Sequence, residues 1–409
     1  LEVARRAGSP RRGEEETHAH LFLTHDARAA ELRSALLDAR RARSELRERI
    51  PEIMVQRDDG PPRTTYVLRR GRYDDPDRAQ PVEPGTPTVL GPLAIEGRAD
   101  RLDLARWLVA PENPLAARVV VNRAWQLLFG RGLVETVENF GVQGTLPANP
   151  ELFDTLAVEF VASGWDLRAL LRRIVTSATY RQDSRVDAAT RERDPANELL
   201  GRYPARRLSA EQIRDLALAA SELLVRDIGG PSVRPWQPPG LWSFTAAGDY
   251  TPDEGPGRHR RSLYTFWKRT SPPPNLTLFD AARREVCVAR RASTNTPQQA
   301  LVLLNDPQFV ECAGALARLA LEEASADGER CATLFRRLAG RRPEVAELEE
   351  LISLLADARQ AFAVDPGSAE ALRASAACEL APEADLPSWA ALCVTVSTIL
   401  SLDAAFVQR

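Results

Sequence analysis

Between Ile228 and Gly257 the chain places six prolines and six glycines in thirty residues. Proline removes a backbone donor and fixes φ, and glycine weakens any helix or strand it interrupts. No regular element can run through such a stretch. Trp236, Trp242, Phe244 and Tyr250 are interleaved with it. A loop this long in a compact protein is either functional or disordered. Aromatic side chains supply the burial that disordered segments lack, which favours an ordered loop. The regular structure must therefore lie on either side.

On both sides the apolar spacing is helical. Glu14–Arg49 carries Leu21, Leu32, Leu36 and Leu46, followed by Ile50, among alternating Arg and Glu, and reads as an exposed helix within residues 1–50. In residues 51–97, Ile53–Gln56 and Thr64–Arg70 have strand character and suggest a short hairpin-like pair around Asp58-Asp59-Gly60. Tyr73–Gly97, with five prolines, is expected as an extended connector. Residues 98–409 read as a helical domain. Its helices are expected at Asp100–Ala110, Pro114–Phe129, Pro150–Ser163, Leu167–Ser177 and Ser209–Arg226, with Asp166 and Ser209 as N-caps and Gly130 as a stop. Past loop 228–257, Ser262–Trp267 is a candidate strand. The acidic part 297–409 holds a helix from Thr296-Pro297 to about Glu323, then helices near Glu329–Ala339, Glu344–Ala363, Ser368–Glu379 and Ser388–Leu400. The expected class is mainly α, with a short β-hairpin element and one long Pro/Gly/aromatic loop.

Composition narrows the function. The chain has 409 residues, 44% hydrophobic and 27% charged, which is ordinary for a soluble globular protein. No window approaches the ~20 apolar residues of a membrane helix. The polar, arginine-rich start at Leu1 shows no signal peptide, and a start without Met suggests a piece of a longer chain. A net charge of −3 and the lack of a recognised binding motif argue against nucleic acid as a partner. Cys287, Cys312, Cys331, Cys378 and Cys393 form no CxxC or CxxCH, so this chain carries no haem c or zinc-ribbon signature. Buried free thiols are expected, and a Cys312–Cys393 disulfide stays open as an alternative.

The densest chemistry lies in Arg258–Arg291, with nine Lys/Arg and two acids beside Tyr264, Phe266, Trp267 and Phe279. Guanidinium groups grip carboxylate, sulfate or phosphate bidentately and stack on rings. The candidate ligand residues are Arg261, Tyr264, Trp267, Lys268, Arg269, Asp280, Arg283, Glu285, Arg290 and Arg291, joined by Trp242 from the loop. Asn295, Asn305 and Asp306 are candidates because Asn305-Asp306-Pro307 interrupts an apolar helix, and such rule-breaking is enriched at functional sites. The structural alternative is that the arginines pair with the acidic C-terminal helices and that Thr296 is only an N-cap. Asp249, Asp253 and Glu254 could hold calcium but lack EF-hand spacing. His18, His20 and His25 fall on the exposed helix, and His259 in the basic cluster. No HExxH, GxSxG, Walker A or GxGxxG occurs. An enzyme reading would use Lys268, Asp280, Glu285 or His259. A purely structural scaffold is a third reading.

Three groups of segments point further. They are Arg101–Leu108, Asn113–Trp125, Phe129–Val134, Asn139–Gly141 and Ser163–Asp166; then Arg207–Asp215, Gly229–Val233 and Gln237–Trp242; then Arg260–Thr270 and Thr294–Asp306. Together they resemble the planctomycete surface-domain family PSD1 (domain of unknown function 1553), over roughly residues 98–409. The resemblance implies the C-terminal, non-haem part of an exported, periplasmic or cell-surface protein. Upstream it implies a DUF1549 domain and a c-type cytochrome domain, so haem would belong there and not here. It transfers no catalytic residue. An anionic polysaccharide or a partner domain is the expected ligand. Of the 54 basic residues only Lys268 is lysine, which fits a GC-rich genome better than selected guanidinium chemistry.

Overall fold

A computed structural model of the chain describes residues 21–22, 24–50, 52–55, 63–93, 99–242, 249–381 and 384–408. It divides into two compact units, Leu1–Pro84 and Gly85–Arg409.

In the first unit α1 (Ala30–Arg49) buries no residue, and Leu32, Leu36 and Leu46 are exposed, as the charged sequence foretells. His25 is exposed, whereas His18 and His20 lie outside the described residues. The hairpin differs from expectation. β1 (Thr65–Leu68) pairs antiparallel with β2 (Pro76–Val82), inside the stretch read as a connector, and Ile53–Val55 is irregular. Each strand of a two-stranded sheet keeps one free edge, where a proline without an N–H costs no ladder bond.

The second unit is helical, in two packed groups. α2 (Arg101–Leu108) starts on an Asp100 capping box. α3 (Ala116–Phe129), α4 (Pro150–Ala162) and α5 (Leu167–Val175) enclose a core of Val121, Trp125, Phe129, Phe153, Phe160 and Ile174. Asp166 caps α5 through the amides of Arg168 and Ala169. Fully buried Asn122 on α3 holds the following loop: its amide donates to the Val134 carbonyl and accepts from the Val134 N–H, both at 2.9 Å. Gly132 lets that loop close, because a Cβ there would lie 2.5 Å from the Val134 carbonyl.

After the short α6 (Ala188–Arg193) and β3 (Arg206–Arg207), the second group begins with α7 (Ala210–Ala220), opened by the Ser209–Gln212 capping box. It continues with α8 (Pro274–Leu278), α9 (Pro297–Asn305), α10 (Pro307–Glu323), α11 (Asp327–Ala339), α12 (Val345–Val364), α13 (Pro366–Ser375), α14 (Leu386–Leu400) and α15 (Asp403–Phe406), and ends in β4 (Val407–Gln408). Their shared core includes Leu316, Phe335, Leu355 and Trp389.

The long helix expected from Thr296 to Glu323 is two helices. Pro307 cannot donate into α9, so the chain breaks, and Asp306 caps α10 through the Gln308 N–H. α7 is shorter than expected because Glu222 turns to a φ of 62°. Ser262–Trp267 is no strand: Ser262–Tyr264 is a 3-10 turn, and Thr265 only bridges Val233. The chain is thus mainly α, with two small antiparallel sheets among the described residues. No described helix is long and apolar enough to cross a membrane.

Candidate functional site

Six positions of α7 form its inward stripe: Ala210, Ile213, Arg214, Ala217, Leu218 and Ala220. Arg214 is an arginine in a core position, only 3% exposed. Burial pulls its pKa down, against the attraction of Asp215 and Asp306. Its five donors keep the charge tolerable, as a buried ion requires. The guanidinium donates to Gln308 Oε1 (2.7 Å), to the carbonyls of Arg258 (2.7 Å) and Arg260 (3.0 Å), and to Ser262 Oγ (3.2 Å). Asp215 accepts from the backbone and hydroxyl of Ser262, both at 2.7 Å. α7 therefore fixes the 258–262 turn.

That turn in turn fixes the Pro/Gly loop. Arg260 donates to the carbonyls of Asp227, Gly229 and Pro231 and lies 3.9 Å over the Tyr264 ring. The Tyr264 hydroxyl accepts from the Gly229 N–H, and the Tyr250 hydroxyl donates to the Pro235 carbonyl. Asp253 accepts from the Arg234 N–H, and among the described residues no three His, Cys, Asp or Glu side chains gather as a metal ion requires. The described parts of the loop pack on the core, with Val233 and Trp242 buried, and Phe244 lies outside the described residues.

The result is a cavity of about 250 Å³ between α7, the loop and the start of α10. Trp236, Pro235, Pro307 and Leu218 form its apolar walls. At one side Glu311 Oε1 accepts from Arg258 Nη2 at 2.6 Å and lies 3.1 Å from His259 Nε2. Burial raises the Glu311 pKa, but His259 and Arg258 outweigh it and hold the carboxyl below its usual range. Burial dominates at nearby Asp306 and pushes it up to about 6, against its bond from Gln308 and the charge of Arg214.

The candidate residues do not converge on one site. Asp280 is structural: it pairs with Arg207 at 2.5 Å and accepts from the backbone and hydroxyl of Thr294. Burial opposes those bonds, yet its carboxyl stays below the ordinary range. Lys268 stands 4.1 Å over the Trp242 ring, and the Trp267 indole donates to the Arg283 carbonyl. Asn305 caps a carbonyl of its own helix, Leu301, and Asn295 is exposed. Of the proposed pairing with acidic helices, Arg258–Glu311 is present. Arg291 pairs instead with Glu211 on α7 at 2.7 Å. Among the described residues, Arg261, Arg269, Arg283 and Arg290 have no carboxylate within 4.0 Å.

Arg283, Arg290, Arg291 and exposed Glu285 line a groove of about 330 Å³ on loop 281–292, together with Arg284, Val286 and Val288. Arg284 stacks 4.6 Å over Trp267. Sequence reasoning missed Arg214, Trp236, Gln308 and Glu311. Only Arg214 carried a signal, as a charge on the apolar stripe.

All five cysteines are free. Cys312, Cys331 and Cys393 are buried, and burial pushes Cys312 up to about 12 and Cys331 to about 11, which makes them poor nucleophiles.

A helical protein with an arginine-lined loop groove and a partly open cavity under a pinned Pro/Gly loop is the class these features define. The sequence model of PSD1, described as a protein of unknown function (DUF1553), matches residues 100–355, more than half of the chain, and the chain belongs to that family. No curated protein and no solved structure gives a significant match.

Proposed function

We propose that the chain is the non-haem module of an exported, cytochrome-associated surface protein and that it grips an anionic polysaccharide through loop 281–292. The cellular context rests on the family resemblance, with DUF1549 and c-type cytochrome domains as the upstream partners. The binding rests on one observation: Arg283 and Arg290 line a groove and have no carboxylate partner among the described residues. Unpaired guanidinium groups offer their donor forks to sulfate or carboxylate. Val286 and Val288 supply the apolar surface against which a sugar ring can lie.

Calorimetric titration with dextran sulfate, against neutral dextran, tests this. Binding of the sulfated polymer should weaken as salt rises, since exposed charges are screened. The double variant Arg283→Ala/Arg290→Ala should lose about tenfold in affinity, roughly one charge-assisted hydrogen bond. Equal binding to neutral dextran, or an unchanged affinity in the double variant, would overturn the reading. Of the four enzyme candidates, only His259 borders the cavity under the Pro/Gly loop.

A further inference from the structure

The cavity under the Pro/Gly loop is suited to a different ligand from the groove. Every cation around it is already engaged. The donors of Arg214 are on Gln308, Ser262 and two carbonyls, and Arg258 points at Glu311 beside His259. Both guanidinium groups that line it already have acceptors within the chain. What remains open is an acceptor: both contacts to Glu311 are on Oε1, and Oε2 accepts from no described residue.

The rest of the lining mixes apolar Leu218, Pro235, Pro307 and Ala377 with Gln308 and Ser375, and Trp236 presents an aromatic surface. Behind them Gln237 and Thr265, each 6% exposed, have side-chain oxygens without a partner and border a void of about 10 Å³. Such a void is the size of one water, which those two oxygens could hold. A volume of about 250 Å³ is below the ~300–1,000 Å³ of drug-sized sites, which leaves room for a single ring.

We propose that this cavity binds one neutral hydroxylated ring, a monosaccharide unit, with its apolar face on Trp236 and a hydroxyl donating to Glu311 Oε2. A six-membered sugar combines the two properties the walls demand, a C–H face and hydroxyl donors at its rim. The site is separate from the arginine groove and stands or falls independently of it.

The experiment is saturation-transfer NMR on the full chain with the methyl glycosides of glucose, galactose and mannose. At least one should receive saturation on its ring C–H protons and shift the Trp236 indole N–H resonance. Glu311→Gln and Trp236→Leu, each checked for fold by circular dichroism, should weaken that glycoside at least tenfold and leave dextran sulfate binding unchanged. The indole shift in the unaltered protein decides the matter if either variant misfolds. Absence of transfer to all three glycosides would overturn the proposal. So would wild-type affinity in Glu311→Gln, or glycoside binding lost only in Arg283→Ala/Arg290→Ala.

Discussion

Asp306 shows how one residue serves two demands at once. It caps α10 through the Gln308 N–H, and its carboxyl is buried enough to be pushed up to about 6. Its folded-state value lies above the unfolded value of 3.8, so the folded chain holds the proton more tightly. The corresponding stability is complete below pH 3.8 and is lost as pH rises through about 6. Asn caps a helix as well as Asp does. Asp306→Asn should therefore stabilise the protein at pH 8 by on the order of 3 kcal/mol and leave it nearly unchanged at pH 3.5. Urea denaturation at the two pH values measures this, and an equal shift at both would refute it. Asp306 and Asn305 stood out in the sequence because they broke a helical pattern. The break proves to be a cap between two helices. Arg214 is the reverse case. It looked like any arginine in a chain with 53 of them, and only its place on the buried stripe gives it meaning.

At the scale of elements, local signals carried well and long-range ones did not. The caps at Asp166 and Ser209 and the left-handed stop at Gly130 were legible because each depends on a few neighbouring residues. The β1–β2 partnership was not, because alternation marks a strand without naming its partner. The candidate site divided for the same reason: nearness in sequence between Arg258 and Arg291 does not fix where the side chains point. The Asn122–Gly132 staple is the case where a motif has a purely structural cause. A methyl group at Gly132 would meet the Val134 carbonyl at 2.5 Å and the Asn122 amide at 2.6 Å. Neither can retreat without breaking the paired bonds between Asn122 and Val134. Gly132→Ala should cost about 1–3 kcal/mol, as overpacking does. It should also speed amide exchange at Val134, and a melting temperature equal to wild type would show that the loop has slack.

Across the whole second unit, the two helical groups are tied by the chain's last described residues. β4 pairs with β3, placing Arg206 opposite Gln408 and Arg207 opposite Val407. The Leu208 N–H donates to the Phe406 carbonyl at 2.7 Å, and Arg206 Nη2 donates to Gln408 Oε1 at 2.7 Å. Gln408 also reaches the Tyr180 hydroxyl, and Tyr180 packs on the first core beside Phe129. Ala405 and Phe406 belong to the second core. One short segment thus touches both groups. The same β3 arginine, Arg207, holds Asp280 at the base of the loop that carries the arginine groove. Removing residues 403–409 deletes three or more net hydrogen bonds of about 0.5–1.5 kcal/mol each, together with a little apolar burial. The urea midpoint should fall by the equivalent of about 2–4 kcal/mol. Amide exchange should rise first at Leu208 and around Arg206, before it rises in α10 or α14, whose cores remain intact. If exchange instead rises uniformly, the two groups share a wider interface than this tie. If the midpoint does not move, the β3–β4 pairing adds little to stability, and the groove takes its position from the Arg291–Glu211, Arg207–Asp280 and Trp267–Arg283 contacts.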